Sequence, residues 1–121
     1  MTIDRDDASK YREEYDVRVR RLADLLALTS PRKEAMGAAL SEMEPGETVR
    51  EHVNKPQVEE IFLLLDGTAD FCLDGEVQPM AAGDVAFARI GQSHSFTNTS
   101  TQRSRLLSVW WKAVPDAGTA A

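Results

Sequence analysis

From Gly46 onward the chain is broken by turns so often that no long helix fits. The runs "TVREHVN", "EIFLLL", "ADFCL", "VQPM", "DVAFARI", "HSFTN" and "RLLSVWW" follow one another, punctuated by Asp66-Gly67, Asp74-Gly75, Gly83-Asp84 and Gly91. Each run is short and either apolar or alternating, which is the pattern of strands in a packed sheet. Both Asp-Gly pairs lie between apolar runs and predict hairpins, because glycine supplies the positive φ that tight turns need. Seven such strands with turns at close intervals predict an all-β sandwich or small barrel. At 121 residues, 42% of them hydrophobic, the chain has enough apolar surface for one core and reads as one domain.

The segment before Gly46 is less decisive. A helix from Asp7 through "RRLADLLAL" to Leu28 fits the composition, whereas Tyr15, Val17 and Val19 alternate as a strand does. Pro31 marks a break, and "SPRKEAMGAALSEM" leads to the turn at Pro45-Gly46. The organisation read from this is an N-terminal extension over residues 1–40 packing on the barrel, a barrel over 41–114, and a disordered tail over 115–121. Arg12, Arg18, Arg20 and Arg21 have acids close by and read as a solvated face.

The net charge of −6 leaves no basic stripe, so neither nucleic acid nor an anionic membrane is an expected partner. A single cysteine, Cys72, excludes an internal disulfide framework and reads as a small buried hydrophobe. The start "MTIDRDDASKYREEYD" carries no apolar leader, and no window reaches transmembrane length, so a cytoplasmic protein is expected.

The chain has two histidines, and both fall in strand-like runs. Residues two apart on a strand share a face, so His52 groups with Asn54, Arg50 and Thr48; Glu60 with Phe62 and Leu64; His94 with Phe96 and Asn98. If these faces line one interior, two imidazoles and a carboxylate converge. That set, with positions left open, is the one used by non-haem iron enzymes.

These same residues resemble the two signature motifs of the cupin superfamily. The second motif, Gly, five residues, Pro, one, Gly, two, His, three, Asn, is met by Gly83, Gly91, His94 and Asn98, with Arg89 in place of the proline. The first motif, Gly, five residues, His, one, His, three or four, Glu, six, Gly, is met by Gly46, His52 and Gly67, with Asn54 replacing the second histidine. One extra residue leaves Glu59 and Glu60 competing for the glutamate position. Glu60 is preferred, because the strand running to Gly67 sets the inward face while "NKPQV" absorbs the insertion.

The resemblance covers about Met43 to Trp111 and implies a jelly-roll barrel, a homodimer, and a divalent metal held by His52, Glu60 and His94, with Asn54 at the fourth position. Fe(II) leads; Mn, Ni and Zn are alternatives. It implies an enzyme acting on a small organic molecule in the barrel, a non-haem iron dioxygenase first. The alternatives are a Lewis-acid isomerase, cyclase or lyase, with Glu59 as a candidate general base, and a non-catalytic small-molecule binder. Arg89 is a candidate to grip a substrate carboxylate or phosphate. Arg50, Gln57, Phe62 and Phe96 are candidate pocket residues; Phe71, Phe87, Trp110 and Trp111 are expected in the core or pocket wall. Asn98 is expected to hold the turn beyond His94.

Overall fold

The structure, a computed structural model, describes residues 2–23 and 36–113. Ten strands follow in chain order: β1 (Arg12–Glu14), β2 (Val17–Arg21), β3 (Met36–Met43), β4 (Thr48–Val53), β5 (Val58–Asp66), β6 (Thr68–Leu73), β7 (Glu76–Ala81), β8 (Val85–Ala88), β9 (Ser93–Thr97) and β10 (Ser104–Lys112). All seven runs read from the sequence form strands, β4 to β10. A six-stranded sheet has the order β1-β2-β3-β10-β5-β8, and a four-stranded sheet the order β4-β9-β6-β7. The fold is all-β and jelly-roll-like, and among the described residues no strand pairing joins the two sheets into a continuous barrel.

Alternation explains the core. On β5 Glu60, Phe62 and Leu64 are buried while their neighbours are less so. The first sheet contributes Val17, Val19, Met43, Phe62, Leu64 and Leu106, and the second Val49, Ala69, Phe71, Met80 and Phe96. Two inner faces of this kind interdigitate as one apolar layer, the arrangement that stabilises a sandwich. Phe87 is an exception to the expected wall: it sits on edge strand β8 and is largely exposed.

One of the two Asp-Gly signals makes the hairpin it suggests. Asp74 and Gly75, with φ of 49° and 85°, turn β6 into its antiparallel partner β7. Asp66-Gly67 instead carries the chain from one sheet to the other, because β5 pairs with β10 and β8 but not with β6. Gly67, at φ 78°, lies so close to β10 that a Cβ there would stand 2.8 Å from that of Ser104. Glycine is required at this corner for both reasons.

The N-terminal segment corrects the helical alternative over its described part. Residues 12–21 form the β1–β2 hairpin, with Tyr15 and Asp16 at φ of 52° and 68° in its turn. Residues 24–28 of the suggested helix, and the expected tail at 115–121, lie outside the described residues. Strand β3 runs through residue 40, so the division drawn there falls inside a strand. The hairpin continues the barrel's own sheet through the β2–β3 pairing.

The arginines of β2 are not one solvated face. Alternation sends Arg21 inward with Val17 and Val19. Arg18 and Arg20 point the other way, where Arg18 pairs with Glu47. Arg20 is 4% exposed and donates to the Asp4 carboxylate at 2.6 Å and the Asp6 carboxylate at 3.3 Å.

These pairs make the packing of the N-terminal segment pH-dependent. Hydrogen bonds from Lys10 and then Arg20 hold the Asp4 carboxyl below its ordinary 3.8, and Arg18 holds Glu47 below 4.5. A carboxyl whose folded pKa is lowered contributes stability that is present above its unfolded value and lost as pH falls through the folded one. Arg20→Gln is therefore expected to lower the denaturation midpoint at pH 6, and the gap from wild type is expected to close below about pH 4. A gap unchanged at pH 3 would contradict the ion-pair account.

Candidate functional site

Strands β4 and β9 pair with Thr48 opposite Thr97 and Val49 opposite Phe96, but the register slips before His52 meets His94. Three residues of β4 span two of β9, which is a β-bulge, and a bulge re-aims the side chains beyond it. Buried Val49 and His52 consequently both face the interior, and the imidazoles of His52 and His94 lie 4.5 Å apart between ring centroids. Each ring is held in the same way. Its Nδ1 meets the carbonyl two residues back, Arg50 O at 2.7 Å for His52 and Gln92 O at 3.2 Å for His94. An Nδ1–H that donates to a carbonyl leaves Nε2 as a bare lone pair.

Glu60 completes the group from the opposite sheet. Its carboxylate lies 3.6 Å from Nε2 of His94, and the two residues are 7% and 2% exposed. That nitrogen is buried with no hydrogen-bond partner among the described residues, as is Nδ2 of Asn54. Burial is the largest influence on both groups. It pushes the Glu60 carboxyl up, against the opposing dipoles of Asn54 and Ser108, and pushes the His94 imidazole down. A neutral imidazole with an unengaged Nε2 is the form that binds metals. Among the described residues no group of three or more His, Cys, Asp or Glu is gathered as a ready-made metal cage. The tight element is the His94–Glu60 pair, with His52 beside it and Asn54 close by.

These groups line a cavity of about 390 Å³ between the sheets, walled by Phe62, Phe96, Val49 and Leu106. Of the sequence-read candidates, His52, Asn54, Glu60, His94, Phe62 and Phe96 all reach it. Four do not. Glu59 points to the other side of β5, where its carboxylate accepts from Trp111 Nε1 at 3.0 Å, so it is not placed to act as a base. Arg50 is exposed on the outside of the bulge, its guanidinium 5.8 Å from the Tyr15 ring, because the bulge breaks the two-residue period that grouped it with His52. Gln57 is exposed in the turn before β5, at φ 69°. Arg89 is exposed beyond β8. Asn98 is fully buried and donates to Met43 O and Gln102 O, tying down the turn after β9 as expected. Cys72 is half-buried.

Among the cavity residues not anticipated as site residues are Tyr15, Arg21, Lys55 and Ser108. Tyr15 stacks on His52, centroids 4.2 Å apart and planes 19° from parallel, and its carbonyl accepts from Arg50 N–H at 3.0 Å. The β1–β2 turn is thereby fastened to the β4 bulge. The alternating Tyr15, Val17 and Val19 carried the only hint of this, since alternation marks a strand with one face buried.

Two facing antiparallel sheets enclosing imidazoles from β4 and β9 and a carboxylate from β5 define a jelly-roll protein with an interior cavity. The chain belongs to the cupin family: residues 39–110 match the model of the cupin domain. It is 33% identical over 88 residues to an oxalate-binding protein of Thermotoga maritima, covering 73% of this chain and 72% of that one. Its fold is similar to that of a cupin 2 conserved barrel domain protein from Salinispora arenicola, with a TM-score of 0.74, 27% identity, and coverage of 98% and 91% of the two chains. A predicted oxalate decarboxylase from Thermotoga maritima is similar with a TM-score of 0.67 and 27% identity, over 80% and 81% of the chains. Among the described residues no helix is long and apolar enough to cross a membrane.

Tyr15 holds an uncommon positive φ for a bulky residue, and its ring contact with His52 offsets that strain. Tyr15→Ala is expected to lower stability by about 1 kcal/mol in urea denaturation and to shift the His52 Hε1 resonance. An unchanged resonance at unchanged stability would show that the stack does not hold the imidazole.

Proposed function

We propose that the chain is a metal-dependent cupin that holds a small oxygen-donor organic molecule at a divalent cation between the sheets. The observation that carries this reading is the Nε2 of His94, buried, without a hydrogen-bond partner among the described residues, and facing the Glu60 carboxylate. A buried polar atom left unpaired lowers stability by about 1–3 kcal/mol. A cation removes that penalty and neutralises the buried carboxylate together. His94 and Glu60 would hold it, with His52 as the third donor and the Asn54 amide beside them. This mixed nitrogen and oxygen set suits Fe(II), Mn(II), Ni(II) or Zn(II).

The protein's own groups prepare the site. The carbonyls of Arg50 and Gln92 fix both imidazoles, the role such partners play behind metal ligands. Phe62, Phe96 and Val49 keep water from the inner side. Ser108 and Asn54 face Glu60 and oppose the rise of its pKa, favouring the ionised form. A divalent cation there would supply Lewis-acid polarisation of a bound carboxylate or carbonyl, and Fe(II) would add the oxygen chemistry first expected from the donor set.

The Thermotoga oxalate-binding protein supports an oxygen-donor ligand class for this cavity and lends nothing to a dioxygenase in particular. A binding role without turnover is the second reading. It is favoured by the fact that Glu60 is the one carboxylate among the described cavity-lining residues, so that binding a cation would leave no second carboxylate there to serve as a base. Turnover of candidate carboxylates by the metal-loaded protein separates the two.

Calorimetric titration of metal-free protein with Mn(II) tests the centre itself. One equivalent is expected to bind, with Glu60→Ala and His94→Ala each weakening it by about 100-fold or more and Glu59→Ala leaving it unchanged. Loss of binding in Glu59→Ala with retention in Glu60→Ala would overturn the assignment.

A further inference from the structure

The chain is acidic, with 20 Asp and Glu against 14 Lys and Arg, yet its cavity is not. Arg21 and Lys55 line it, against Glu60 as the one acid among the described lining residues. Two cationic side chains at the exposed rim of the cavity favour an anion as occupant, although water at the mouth screens part of their field.

Arg21 is built into position. It stands at the cavity mouth with its side chain 44% exposed, and its Nε and Nη2 donate to the Glu14 carboxylate at 2.9 and 2.7 Å. Its guanidinium lies over the Trp110 ring, 5.6 Å from the centroid. Trp110 can lie beneath it because the residue opposite on β3 is Gly37, where a Cβ would run into the indole. Trp110 also stands directly opposite Glu60 in the β5–β10 register, so the clamp and the inner carboxylate belong to one stretch of sheet. Glu14 takes one edge of the guanidinium. The Tyr15 side chain is its other neighbour, so a ligand would pair with the guanidinium from the cavity side, beside Tyr15.

We infer that Arg21, clamped by Glu14 and Trp110 at the cavity mouth, is the specificity-determining residue of the site and selects a small dicarboxylate. One carboxylate is directed inward to the His94–Glu60 end, which rests on the function proposed above, and the second pairs with the guanidinium. The N-terminal hairpin is then part of the binding site as well as of the sheet.

The test is calorimetric titration of the full chain, with and without bound Mn(II). The probes are malonate and succinate, with propionate and butyrate as monocarboxylates of matched length, and inorganic phosphate. At least one dicarboxylate is expected to bind about 10-fold or more tightly than its matched monocarboxylate. Arg21→Met is expected to abolish that preference in protein that still binds one equivalent of Mn(II), and Arg21→Lys to restore part of it. Equal binding of the matched pairs, an Arg21→Met preference equal to wild type, or Arg21-dependent binding of phosphate alone would overturn the inference. Wild-type protein that takes up no Mn(II) but keeps an Arg21-dependent dicarboxylate preference would instead remove the metal reading and leave this one standing.

Discussion

The site depends on a single slip of register between β4 and β9. Without the bulge between Val49 and His52, the two-residue period that buries Val49 would turn Glu51 inward and His52 outward, away from His94. With it, the two imidazoles meet across the strand pair, and each is fixed by a carbonyl of its own strand. Everything else at the centre is ordinary alternation: β5 delivers Glu60, β10 delivers Ser108 and Trp110, and the aromatic residues close the inner wall. Backbone pairing, and not a loop, sets the position of His52, His94 and Glu60.

The second determinant is the hairpin ahead of the family's own region. The cupin domain match begins at residue 39, while Tyr15 and Arg21 lie on strands before it. Those strands extend the six-stranded sheet across one side of the cavity, so they bring a ring onto His52 and a cation to the mouth without altering the shared motifs. On the outer face of the same strand Arg20, with Asp4 and Asp6, holds the preceding segment in place. One β2 strand thus serves both the packing of the terminus and the lining of the site, by the alternation of its side chains.

Much of this was legible in the sequence. The seven strands after Gly46 were marked by their turns, and the spacing of Gly83, Gly91, His94 and Asn98 marked the family. Glu60 could be preferred to Glu59 because the distance to Gly67 sets the inward parity of β5. What could not be read was tertiary. A bulge has no signature in "TVREHVN", so Arg50 was grouped with His52 when it lies outside. Asp66-Gly67 looks locally like a hairpin turn, and only the pairing partners of β5 and β6 show that it joins two sheets. The charges of β2 gave "VRVRR" the look of a surface, yet Arg20 is buried by acids at distant positions in the chain. In each case the local pattern was real and a long-range contact decided its meaning.

Anomalous diffraction from crystals grown with Mn(II) tests the convergence of these donors most directly. The account calls for one anomalous peak bounded by Nε2 of His52, Nε2 of His94 and the carboxylate of Glu60. Density for Mn(II) elsewhere only, or a His52 ring turned out to solvent with the cavity holding no cation, would contradict it.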